Sequence, residues 1–331
     1  MKENRCTRDL TENPVLASVE PVVKHSARVF FHPERLDFAV HRWGHLLAER
    51  SGWGHPCHYF DGTDETVRWI FVLDVLNHCF WPDPGEPVWT VTYGGGRYSG
   101  YWGLAASLKR AKEDGIAITD SAFLARLQPE ELSRVFSGEG CIPLFRERLE
   151  NLREAGEAIE NRWGGDVANL IKEAGGSGTL VVQEVVSCFP SFRDQASYRG
   201  NPVYFWKRAQ LFVSDLHAAF QGRGWGDFRD IDRLTAFADY KLPQVMREMG
   251  LISYRPDLAM KVDGLNLLEP GSEEEVEIRA MTIHGVEELR QAFLRSGRRV
   301  GAPAVDNWLW QLGQLDEFRS RPYHRCRTIF Y

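Results

Sequence analysis

The chain has 331 residues, 43% of them hydrophobic and 26% charged, enough for one large domain or two modest ones and an ordinary balance for a soluble globular protein. A net charge of −6 with a pI near 6.0 argues against a protein that wraps duplex nucleic acid, so an anionic ligand is expected to be small and locally held. No run has the length of a membrane span and no basic-then-apolar leader opens the chain. The six scattered Cys, with no CxxC pair, read as reduced thiols of a cytoplasmic protein.

In chain order, residues 1–13 are polar and expected to be a flexible N-terminus, with 14–331 forming one domain. Residues 14–50 carry a helical apolar pattern, 51–63 a loop rich in breakers with His55 and His58, and 64–80 a second apolar helix. Val88 to Tyr93, the turn Gly94-Gly95-Gly96, and Arg97 to Trp102 give a hairpin signal, the single convincing strand pair. Helices are expected at 104–114, 120–127, 129–136, 143–163 and 166–174, while the β-branched run Thr179–Cys188 fits helix or strand. The clearest amphipathic helix is expected over 202–220, where Phe205, Ala209, Phe212, Val213, Leu216 and Phe220 share a face. Shorter helices should follow at 230–238, 243–249 and 256–262, then 272–295 and 303–318. The fold expected is mainly α, a compact helical domain with a small β-hairpin near 88–102.

The stretch with most chemical promise is Phe237-Ala238-Asp239-Tyr240-Lys241-Leu242-Pro243-Gln244, a carboxylate between two rings just before a proline suited to a helix's first turn. Asp239 there either caps the following helix or is held against a flat ligand. On the 303–318 helix, Asp306 and Trp310 are four residues apart, able to hydrogen-bond and stack on a ring, or simply a surface Asp beside a half-buried Trp. Lys207-Arg208 is either a phosphate contact near a helix start or a solvated pair. The basic tail Arg321 to Thr328 contributes to an anion site or docks on an acidic surface. His55-Pro56-Cys57-His58 crowds its ligands without a second pair, so no metal is expected. Gly94–Gly96 lacks Gly-Lys-Ser/Thr, which rules out a P-loop. One ring-flanked carboxylate fits glycosidic cleavage through an oxocarbenium-like transition state.

At Phe189-Pro190-Ser191-Phe192-Arg193-Asp194, Lys207-Arg208-Ala209-Gln210, Phe237 to Gln244 and Arg321-Pro322-Tyr323-His324-Arg325-Cys326-Arg327-Thr328, the chain resembles the queuosine salvage family over nearly its whole length. The resemblance implies a fold similar to helical DNA glycosylases. It also implies hydrolysis of queuosine 5′-monophosphate to queuine and ribose 5-phosphate, with no metal or organic cofactor, in queuine salvage for tRNA modification. It implies Asp239 as the essential carboxylate and Lys207 as a phosphate contact. His55, Phe237, Asp306 and Trp310 are implied as the base-recognition set, with Gln311 and Tyr240 as further substrate contacts. Neither a stable nucleic-acid partner nor a membrane is expected, and the oligomeric state stays open. The competing classes are a DNA or RNA base glycosylase acting on a flipped base and a non-catalytic queuine-binding protein.

Overall fold

Two hydrophobic cores, drawn from different stretches of the chain, pack side by side. The computed structural model describes residues 13–47 and 52–331. One core gathers the helices Asp64–Leu76, Gly100–Glu113, Phe145–Trp163, Gly178–Cys188 and Lys207–Ala219, around Trp69, Phe71, Phe189, Phe192 and Phe212. The other gathers Pro14–His25, Lys241–Glu248, Pro256–Asp263, Glu273–Arg295 and Ala302–Leu312, around Val276, Ile283, Phe293 and Trp308. Trp206 packs against both. The helical signals are conventional ones: Asn13 caps Pro14–His25 through its Oδ1, and Ser272 caps Glu273–Arg295, whose first turn is Glu273-Glu274-Glu275. Apart from Asn13, the expected flexible N-terminus lies outside the described residues.

The mainly α expectation holds, and the hairpin is present as Thr90–Tyr93 paired antiparallel with Gly96–Ser99. Its second arm is shorter than expected, because Gly100 already opens the next helix at a φ of 58°. The ambiguous run resolves as the helix Gly178–Cys188.

The expectation of a single strand pair is overturned. Val29–Phe31 pairs with Ile252–Tyr254, Gln195–Tyr198 with Asn201–Tyr204, and Leu267–Leu268 runs parallel to Arg325–Cys326. The strand Val29–Phe31 therefore interrupts the first helical stretch. Pro202, expected to start a helix, lies in a strand that lacks its N–H, and the helix begins only at Lys207.

Two further boundaries moved for a shared reason: buried side chains took over backbone groups. The helix expected to reach residue 80 ends at Leu76. Buried cations there take six successive carbonyls. Arg208 donates to Asp74 and Val75, Arg148 to Leu76, His78 and Cys79, and the Lys207 Nζ to Asn77 at 3.2 Å. They do the work of a C-terminal cap.

The expected helix 230–238 is only a 3-10 turn, Ile231–Arg233, followed by extended chain from Leu234 to Asp239. That extended run has no sheet partner and is pinned by side chains instead. The Thr235 N–H donates to Gln210 Oε1 (2.9 Å) and the Phe237 N–H to Asp306 Oδ2 (2.7 Å). The Ala238 carbonyl accepts from Arg279 Nε at 3.0 Å. The final helix stops at Leu312, with a separate 3-10 turn at Asp316–Phe318.

Candidate active site

The pinned segment and the two cores together enclose a cavity of about 660 Å³, large enough for a nucleotide. One wall comes from the first core: Trp53, His58, Asn77 to Trp81, Tyr101, Trp102, Lys207 and Asp215. The facing wall comes from the second, with Phe237, Asp239, Tyr240, Lys241, Asp306, Trp310, Gln311, Arg319 and Tyr323.

Asp239 stands where the extended run turns into the helix Lys241–Glu248. Its Oδ1 accepts from the Lys241 N–H at 2.7 Å and the Leu242 N–H at 3.1 Å, while Oδ2 has no hydrogen-bond partner among the described residues. The capping reading of this residue therefore holds through Oδ1, and Asp239 also lines the cavity.

Asp306 is nearly buried, and its Oδ2 is fixed by the Phe237 N–H. Burial, and then the neighbouring Asp239 charge, push its carboxyl well above the usual range. Asp215 lies two turns along the helix from Lys207. It has no hydrogen bond among the described residues, and burial pushes it up to about 7, with Lys207 opposing the rise. Asp74 is buried behind it, raised by burial and by Asp215, with Oδ2 unpartnered. Lys207 is the cation shared by this group. Burial lowers its pKa while Asp239, Asp74 and Asp306 support its charge.

His58 is stacked on Trp53, with ring centroids 3.9 Å apart, and burial takes it down to about 4. It is therefore neutral near pH 7. With Nδ1–H directed at the Trp53 carbonyl (3.1 Å), Nε2 accepts from the Tyr101 hydroxyl at 2.8 Å. Trp102 and Trp310 meet edge to face at 6.0 Å.

Seven of the eight site residues expected from sequence, namely Asp239, Phe237, Asp306, Trp310, Gln311, Lys207 and Tyr240, line this one cavity. His55 does not. Its ring stacks behind Trp102, centroids 3.7 Å apart, and its Nδ1 accepts from the Cys57 N–H. The histidine that does line the cavity is His58. Sequence reasoning also passed over Asp215, Tyr101 and Trp102. Asp215 was findable as the carboxylate eight residues from Lys207 on the polar face of a strongly patterned helix, whereas Tyr101 and Trp102 were hidden in the expected strand.

The model of the queuosine salvage protein family matches residues 57–331. The chain belongs to the queuosine salvage family. It is 44% identical over 317 residues to the queuosine 5′-phosphate N-glycosylase/hydrolase of Sphaerobacter thermophilus, covering 96% of this chain and 97% of the relative. Proteins of the same description from Nematostella vectensis and Mus musculus are 35% and 34% identical. They cover 84% and 82% of this chain, and 85% and 83% of their own lengths. The four motifs that carry the resemblance have separable parts in the fold. Within Lys207-Arg208-Ala209-Gln210, Arg208 and Gln210 hold backbone around the cavity and Lys207 reaches into it.

Proposed function

We propose that this protein hydrolyses the N-glycosidic bond of queuosine 5′-monophosphate, releasing queuine and ribose 5-phosphate for queuine salvage and tRNA modification. It acts as one cytoplasmic domain over residues 14–331, without a stable nucleic-acid partner. The observation that carries this reading is Asp239 in the cavity wall, one oxygen spent on the helix and the other without a protein partner. Queuine is a 7-deazaguanine, so the N7 that other purine-cleaving enzymes protonate is a carbon. The departing base must be activated at its edge, and the sugar cation must be stabilised directly. Asp239 as an anion beside the anomeric carbon does the second, since charge developing on the ribose meets a fixed opposite charge. The C1′–N9 bond breaks with its electron pair going to the base, and water supplies the new oxygen at C1′.

Asp306 recognises the base: with Oδ2 held by the Phe237 N–H, its other oxygen accepts from the exocyclic amine of the guanine-like ring and fixes the ring's orientation. Phe237 and Trp310 give the ring faces to stack on, and Tyr240 and Gln311 bound the sugar and the base edge. Lys207 is the buried cation that faces Asp239 and the neighbouring carboxyl groups. Binding energy from the remote 5′-phosphate holds the sugar in a reactive geometry.

The test is incubation of the protein with queuosine 5′-monophosphate, queuosine and GMP, with mass spectrometry of the released base. Queuine should appear fastest from the monophosphate, and GMP should stay intact. If no queuine forms from either queuosine substrate, the reading fails.

A further inference from the structure

Three Lys or Arg side chains line the cavity among those described: Lys207, Lys241 and Arg319. Their surroundings differ sharply. Lys207 is buried, donates to the Asn77 carbonyl, and faces Asp239, Asp74, Asp306 and Asp215. A phosphate dianion placed there would be stripped of most of its hydration in a buried space crowded by four carboxyl groups.

Lys241 and Arg319 are in the opposite situation. They lie close enough that the Arg319 charge, after burial, depresses the Lys241 ammonium. Lys241 Nζ donates to Gln244 Oε1 at 3.1 Å and lies 5.4 Å from the centre of the Tyr323 ring. Arg319 is anchored by Nε to the Gly313 carbonyl, with a long contact to Gln314 and a loose one to the fully exposed Asp316. Two like charges are thus held together on a cavity wall, one of them 44% exposed, and Asp239 is the carboxylate whose charge supports Lys241. The lysine stem passes close over Gly313. A Cβ there would stand 2.9 Å from Lys241 Cδ, so a side chain at this position would displace the lysine as it crosses the end of the helix Ala302–Leu312.

We propose that Lys241 and Arg319 form the 5′-phosphate subsite, and that Lys207 does not. The inference rests on the nucleotide reading given under Proposed function. Position supports it as well. Lys241 donates its own N–H to Asp239, so a ribose whose anomeric carbon faces that carboxylate reaches the lysine side chain across a single sugar ring. Arg319 offers its remaining guanidinium donors as a planar fork, the geometry that suits phosphate oxygens. A pair on the solvent-facing side also lets the dianion bind with part of its hydration intact.

The experiment compares kcat/KM for queuosine 5′-monophosphate and queuosine nucleoside in the wild type and in Lys241→Met, Arg319→Met, Gly313→Ala and Lys207→Met. Thermal stabilisation by ribose 5-phosphate is measured alongside. The monophosphate-to-nucleoside ratio should fall roughly 10- to 100-fold in Lys241→Met and Arg319→Met, mainly through KM. Gly313→Ala should fall partway, since it displaces the lysine without removing charge. Ribose 5-phosphate should raise the melting temperature of the wild type and lose that effect in both charge variants. A ratio within about twofold of wild type in Lys241→Met and Arg319→Met, or a collapse confined to Lys207→Met, overturns the subsite. Should Lys241→Met not fold, Arg319→Met and Gly313→Ala give the same readout. A wild type inert towards the nucleotide removes the proposed function, whereas the ribose 5-phosphate shifts still decide the subsite.

Discussion

Two clusters of buried charge sit within a few residues of each other, and they are built on opposite plans. In the first, Arg279 makes a bidentate pair with Asp194 at 2.7 and 2.6 Å. It also reaches Glu275 at 3.3 Å, donates Nε to the Ala238 carbonyl, and lies over the Phe205 and Tyr331 rings. Asp194 Oδ2 also accepts from the Lys207 N–H. Nearly every donor and acceptor is spent. In the second, Asp74 Oδ2 has no partner, Asp215 has no hydrogen bond among the described residues, and Asp239 keeps one oxygen for the cavity. The saturated cluster fixes the backbone on both sides of the site, at Ala238 and at Lys207. The unsaturated one is left needing a ligand. Charges that are already satisfied hold geometry, and charges that are not can do chemistry.

The most damaging way to break the comparison is at the saturated end. Arg279→Met strands Asp194 and Glu275 in the interior and frees the Ala238 carbonyl, so unfolding in urea should show a loss of about 3–5 kcal/mol. A loss below about 1 kcal/mol would mean the network holds nothing.

At the unsaturated end, Asp239→Asn keeps the Oδ1 acceptor that caps the helix but removes the charge. Base release should drop about 10²- to 10⁴-fold in kcat, while queuine still binds and the melting temperature barely moves. Turnover at the wild-type rate would take Asp239 out of the mechanism.

A subtler effect concerns pH. An unfolded Asp releases its proton near pH 4, whereas Asp215 in the fold holds on to about 7. Between those values the native state binds the extra proton, so this group's contribution to stability is fully present below the unfolded pKa and is lost as pH rises towards 7. His58 works in the opposite sense, its folded value lying near 4, but it is common to both proteins compared. The stability difference between wild type and Asp215→Asn should therefore shift in favour of the wild type as pH is lowered from about 7.5 to about 5. A difference that is flat across that range would show that the group is not titrating there.

The smallest effect sharpens the site's edge. His55→Ala, behind the Trp102 ring, should change kcat/KM less than about fivefold. His58→Ala should cost more, because it removes the acceptor that orients Tyr101.

Much of this was readable in advance, for reasons that differ by element. Long helices with an apolar period and a capping residue, such as Glu273–Arg295 behind Ser272, announce themselves locally. Residues embedded in contiguous motifs, such as Phe237 and Asp239, were found through those motifs. What stayed hidden depended on distant partners. Nothing near Leu76 says that Arg148, Arg208 and Lys207 will cap its helix from positions 72 to 132 residues away, and nothing near Thr235 says that Gln210 and Asp306 will straighten it. The same blindness hides the carboxyl neighbours of Lys207, Asp74, Asp239 and Asp306, which come from three other segments. For His55 and His58, three residues of loop do not reveal which imidazole lines the cavity.

The seam between the two cores has a meaning beyond catalysis. Its walls belong to both halves of the molecule, and Trp206 and the contacts of Trp310 with Tyr101 and Trp102 are among the ties that cross it. A nucleotide lodged there acts as a keystone, adding its binding energy to the cohesion of the whole fold by mass action. Molecules with a nucleotide aboard should then resist opening, and with it proteolysis, better than empty ones.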